Sequence, residues 1–275
     1  MISDSTESGF IRLLEGYCRS LCEANWQDPN GPLRLNRQLL IADLENADFF
    51  QNTRQFLIAL QEQGHTAATA TGNLNRVFVR HMLDRVALSA LERKTILLVN
   101  KVLNEQDLWV LHLSRVVSEA AGLVASRSKV FKPTKAGSAL LAEEHAGELY
   151  HRLFIAYFRK FNLHYDFHVR DVPGIQQSMA AILWRVGDML EDWRPVRGLT
   201  PQLLLPRVLQ QLREAMVSPY DKEEWILSGY VLEPLRDFGL IEKRSKSDWP
   251  TITEKDSVRV TRLWKKFISF AAFAG

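Results

Sequence analysis

Apolar residues recur at three- and four-residue spacing through Phe10, Leu13, Leu14, Tyr17, Cys18, Leu21 and Cys22, the stripe of a half-buried helix. The run Asp28-Pro29-Asn30-Gly31-Pro32 breaks that stripe with residues that fix or free the backbone angles. Helical spacing resumes from about Arg37 to Leu44 and again from Asp48 to Gln63, where Phe49, Phe56, Leu57 and Leu60 share a side and Gly64 stops the helix. His65 to Thr69 reads as a short strand, and Thr69-Ala70-Thr71-Gly72 opens a helix through Leu83.

A related order of events follows in the middle of the chain. A helix from Gln106 to Ala120 ends at Gly122, and Leu123 to Ser126 is extended. Arg127-Ser128 turns, Val130 to Lys132 returns, and Thr134-Lys135-Ala136-Gly137 opens the next helix. Near the C-terminus the order comes again. A helix from Tyr230 to Phe238 ends at Gly239, Leu240 to Arg244 is extended, and Ser245 to Thr251 loops. A second extended stretch closes on Val260-Thr261 and leads into a helix from Arg262 to Phe270. Each glycine supplies the left-handed conformation that ends a helix, and each threonine offers a hydroxyl to the free amides of the helix that follows. Between these units, Glu144–Phe161, Ile175–Leu190 and Gln202–Met216 read as a helical block, the last helix begun by Thr200-Pro201.

Helix, glycine, hairpin, threonine cap and helix together resemble the winged helix-turn-helix superfamily. The residues that carry the resemblance are Ala121-Gly122-Leu123-Val124 with Thr134-Lys135-Ala136-Gly137, and Phe238-Gly239-Leu240-Ile241 with Val260-Thr261. The stretch Thr69 to Arg76 is also similar to one in bacterial conserved-hypothetical proteins of no established activity. The expected fold is therefore mainly α with short β-hairpins: tandem winged-helix-like units joined by a helical block. The segments expected are 1–104 with a wingless unit, 105–145 as the middle winged unit, 146–218 as the connecting block and 219–275 as the C-terminal winged unit.

With 46% hydrophobic and 24% charged residues over 275, the chain is that of a folded protein. A net charge of +3 falls short of the excess that alone would announce nucleic-acid binding. The polar start carries no secretory pattern and no apolar run is long enough to span a membrane, so no membrane partner and a cytoplasmic location are expected. Cys18 and Cys22 lie one helical turn apart and read as small reduced core residues.

In DNA binders of the resembled superfamily, the helix before the hairpin enters the major groove and basic residues of the hairpin touch phosphate. The segment from Ala120 to Ala142 has no acidic residue and contains Arg127, Lys129, Lys132 and Lys135, the expected phosphate contacts. Arg115 and His112, read as outward residues of the preceding helix with Trp109 and Glu119, complete the nucleic-acid set. The C-terminal unit dilutes its cations with carboxylates and reads as a docking or structural domain. The alternative to DNA or RNA binding is a protein partner or self-association through the aromatic face of Tyr150, Leu153, Phe154, Tyr157, Phe158 and Phe161. A metal-dependent enzyme is a distant third reading. If His164 to His168 is extended, His164, Asp166 and His168 share a face, and His151 stands one helix upstream. The chain contains no phosphate-cradling glycine loop, Gly-x-Ser-x-Gly elbow or His-Glu-x-x-His, and no cofactor is expected.

Overall fold

Phe49, Phe50, Phe56, Leu57 and Leu60 turn one side of the Asp48–Glu62 helix into an apolar face, and all five are buried. That face packs on the Trp109–Ala120 helix, while Phe50 meets Tyr150 of the Ala146–Ile155 helix and Phe56 meets Phe78 of the Arg76–Leu83 helix, each at 6.1 Å between ring centroids. The computed structural model describes residues 14–165, 171–245 and 250–272, and the described residues are 54% helix and 11% strand, with small antiparallel sheets. It divides into two compact units: Arg37–Asn162, and the described residues on either side of it. Among the described residues, no helix is long and apolar enough to cross a membrane.

Within the 37–162 unit, Thr66–Ala67 pairs with Val130–Pro133, which pairs in turn with Val124–Arg127. The short strand after Gly64 is thus the third strand of the middle hairpin's sheet. A division after residue 104 would cut this sheet, and the structure groups the expected wingless and middle units together. The helix expected to open at Thr69 begins at Arg76 instead. Thr69 Oγ1 caps a local turn by accepting from the Asn73 amide at 3.0 Å, while the Asn75 side chain takes the amide of Phe78. A further helix, Ala90–Val99, starts on a reciprocal Ser89/Glu92 cap and has no buried residue. The aromatic stripe is core: Tyr150, Phe154 and Phe158 are fully buried, so that face is not exposed for self-association.

The second unit has a similar order. The Met179–Met189 helix leads to Arg194–Pro195, which pairs with Ser257–Val260, itself paired with Ile241–Arg244. Two sequence expectations change here. Gln202–Met216 is two helices, Thr200–Leu203 and Pro206–Ala215, because Pro206 lacks an amide hydrogen and starts a new first turn. The last helix ends at Phe267, since Ile268–Phe270 is claimed as a strand by Leu33–Leu35. In the 37–162 unit, a single 3-10 turn at Ile41–Leu44 stands where a helix from Arg37 to Leu44 was expected. Cys18 is buried and Cys22 is half-buried, and among the described residues neither forms a disulfide.

Candidate nucleic-acid interface

The first hairpin is held by a short set of backbone bonds. Gly122, at φ +69°, lets the chain leave the helix, and the Leu123 amide returns to Ser118 O at 2.8 Å. The Thr134 hydroxyl donates to Gly122 O at 2.9 Å and accepts the Gly137 amide at 3.0 Å, joining both ends of the hairpin to the next helix. Ser128 and Lys129 both have positive φ, so the reversal is a two-residue turn of the kind that matches strand twist. Lys129 O accepts from the Ala68 amide at 2.8 Å, which anchors the tip to the third strand.

Leu123, Val124 and Phe131 face the core, which drives the alternate positions outward. The register Ala125↔Lys132 and Arg127↔Val130 places Arg127 and Lys132 on the same outer face. Arg127, Lys129 and Lys132 are exposed, as is Lys135 in the first turn of the following helix. Among the described residues, none of the four takes part in an ion pair.

His112 and Arg115 are placed otherwise than the sequence reading expected. They are 1% and 7% exposed, and neither can reach a nucleic acid. Both turn inward to Glu105, which is fully buried. Its Oε1 accepts from Arg115 Nε at 2.6 Å and from His112 Nδ1 at 2.7 Å. Its other oxygen accepts the Leu74 amide, and Arg115 also pairs with Glu119 and lies 5.1 Å from the centre of the Phe131 ring. Burial alone would raise the Glu105 carboxyl. The bonds from His112, Arg115 and Leu74 outweigh it and hold the group below its usual range. For Glu119 burial prevails, and its carboxyl is pushed up despite Arg115. A signal for this cluster was present in the spacing, because Leu108, Leu111, His112 and Arg115 fall on one helical face and two of them are plainly apolar. Nothing local marked Glu105 as the partner.

The second hairpin repeats the bonding, with Thr261 Oγ1 donating to Gly239 O at 2.7 Å and accepting the Trp264 amide at 3.4 Å. Its cations are differently employed. Arg244 and Arg259 lie 4.1 and 4.7 Å from the centre of the Trp193 ring, Arg259 also pairs with Glu242, and Lys265 pairs with Glu191 at 2.8 Å. Glu233, in the helix before this hairpin, accepts the Ile252 amide and pairs with Arg236.

Of the metal candidates, Asp166 and His168 lie outside the described residues. His164 Nδ1 is 2.8 Å from the Tyr230 hydroxyl, whose pKa is pushed up to about 12, first by burial and then by Asp171. His151 is buried in the other unit. Among the described residues, no group of three or more histidine, cysteine, aspartate or glutamate side chains is placed to hold a metal ion.

Residues 45–147, which fall within the 37–162 unit and carry the basic hairpin, match a family model described as the Y4jL N-terminal domain. No curated protein and no solved structure matches the chain. The family match covers well under half of the chain, and its description names no activity.

Proposed function

We propose that the protein is a binding protein made of two winged-helix-like units, and that the 37–162 unit contacts nucleic-acid phosphates through its hairpin. The observation that carries this reading is the set of exposed cations at Arg127, Lys129, Lys132 and Lys135, which among the described residues form no ion pair. The unit's element order and its three-stranded sheet support the winged-helix assignment. With His112 and Arg115 turned inward, the preceding helix offers no base-reading cations, so the contact is to the backbone and independent of sequence. Replacing the four cations with alanine is expected to weaken binding to a short duplex by more than about tenfold at low salt. The slope of log affinity against log salt should also flatten by about three units. An unchanged affinity and slope in filter-binding titrations would reject the reading.

A second reading, docking to a protein, is favoured by the Ala90–Val99 helix. Leu91, Leu98 and Val99 are 67%, 80% and 70% exposed there, and an isolated helix of this length is marginal in water. If this face joins two copies, light scattering should show mass rising with concentration, and Leu98→Glu should abolish the rise. A concentration-independent monomer mass for the unaltered chain removes self-association.

A further inference from the structure

The helical stretch that leads into the second hairpin is not regular. Pro234 cannot donate an amide hydrogen to the carbonyl of Tyr230, and the helix widens into a π turn at Ser228–Leu232, where the Glu233 amide reaches back to Ser228 O. Beside this turn is a cavity of about 980 Å³, within the size range of small-molecule sites, lined by Trp225 and Ser228 from the helix. Ser228 is 3% exposed, and its hydroxyl has no hydrogen-bond partner among the described residues. A buried hydroxyl left in that state is destabilising, and a ligand atom that bonds to it would recover the loss.

The charge on the cavity wall is one-sided. Asp221 accepts the amides of Val217 and Ser218, each at 2.8 Å. Glu224 accepts that of Gly198 at 3.0 Å, and Asp256 accepts that of Thr253 at 2.7 Å. None of these three carboxylates has an ion-pair partner among the described residues. Two other wall carboxylates are neutralised: Glu254 by Lys222 and Arg197, and Glu233 by Arg236. Of the residues that line the cavity, five are carboxylates (Asp221, Glu224, Glu233, Glu254 and Asp256) and two, Lys222 and Lys255, are cations; Lys243, outside the lining, lies close enough to influence Asp256. Trp225 is half-exposed on this wall, one helical turn before Ser228, and an indole face attracts a cation as well as an apolar body.

We propose that this cavity binds an organic cation with a flat apolar body. The ammonium or amidinium group lies among Asp221, Glu224 and Asp256 and donates to Ser228 Oγ, while the body packs on Trp225. Residues 246–249, between the flanking Ser245 and Thr251, take no part in the assignment.

Three probes of similar size isolate the charge. By calorimetry on the full chain, tryptamine is expected to bind with a Kd of about 1 mM or tighter, and roughly tenfold more tightly than neutral tryptophol. Indole-3-acetate should not bind. Benzamidine, a second flat cation, should compete with tryptamine. Glu224→Gln should weaken tryptamine about tenfold and leave tryptophol unchanged. Ser228→Ala removes only the orphaned hydroxyl, so the protein should fold as before and bind tryptamine a few-fold less tightly. Failure of both cations to bind overturns the proposal. So does equal binding of the three indoles, or tryptamine affinity indifferent to Glu224→Gln and Ser228→Ala. Because the hairpin of the other unit plays no part, alanine at its four cations leaves tryptamine binding unchanged.

Discussion

Glu105→Gln should cost the protein about 3 kcal/mol of folding free energy at neutral pH, the scale found when one member of a buried charge pair is removed. The amide keeps the shape of the carboxyl but withdraws the charge that faces both Arg115 and His112. It also risks turning an NH2 group toward the Leu74 amide, which now donates to a carboxylate oxygen. Arg115 would be left with Glu119 alone, in a site only 7% exposed. Denaturant unfolding of the two proteins measures the difference, and its pH dependence identifies the source. Because the folded-state pKa of Glu105 is depressed, its contribution is complete above the unfolded carboxylate range and lost as pH falls through the folded value. The gap between the two proteins should therefore be widest near neutrality and should close in acid. A penalty below about 1 kcal/mol that does not change with pH would show that the cluster is not ionic in the way described. Replacing Glu105, His112 and Arg115 together by apolar residues of similar volume, with Glu119→Gln, should be less damaging than the single change, because no member of the cluster is then left as an unpaired charge.

Gly137→Ala is the second large effect. An added Cβ would stand 2.1 Å from Leu123 O and 3.0 Å from its carbonyl carbon, both backbone atoms. Leu123 O cannot retreat cheaply, since it accepts the Thr134 amide at 2.9 Å and the Thr134 hydroxyl at 3.2 Å. The expected cost is about 3 kcal/mol, at the upper end for overpacking. Gly122→Ala is the control. Its Cβ would meet nothing within 4 Å, and the cost there is the left-handed backbone alone, about 1–2 kcal/mol. If the Gly122 change proves the more damaging in thermal unfolding, backbone conformation rather than close approach governs the hairpin. The corresponding position in the second unit, the one whose amide Thr261 caps, is Trp264, so that close approach is not shared by both units. There the indole lies against Gly187, whose added Cβ would come within 3.1 Å of it.

These two sites show how far the residues could be read in advance. Gly122, Gly239, Thr134 and Thr261 act locally, through the handedness of one backbone angle and the reach of one hydroxyl, and both hairpins sit where those residues place them. The outward cations of the first hairpin were legible for a related reason: alternation along a strand fixes their face once Val124 and Phe131 are buried. Glu105 was not legible, because its partners lie seven and ten residues onward and its third contact is the amide of Leu74. For the same reason Arg115, a charged residue on the face of Leu108 and Leu111, reads as outward from the sequence alone. Only a buried counter-charge makes the inward position affordable, and spacing along one helix does not report it.

The helical character of the chain, the two glycine-stopped, threonine-capped hairpins and the acid-free basic loop follow from neighbouring residues, since each depends on forces acting within a few positions. The tertiary structure alone decided that Thr66–Ala67 completes the middle hairpin's sheet and that Leu33–Leu35 takes Ile268–Phe270 away from a helix. It also decided that Ser228, beside a cavity, has no hydrogen-bond partner for its hydroxyl among the described residues. Strand pairing and burial are settled by segments distant in sequence, whose meeting no local periodicity records.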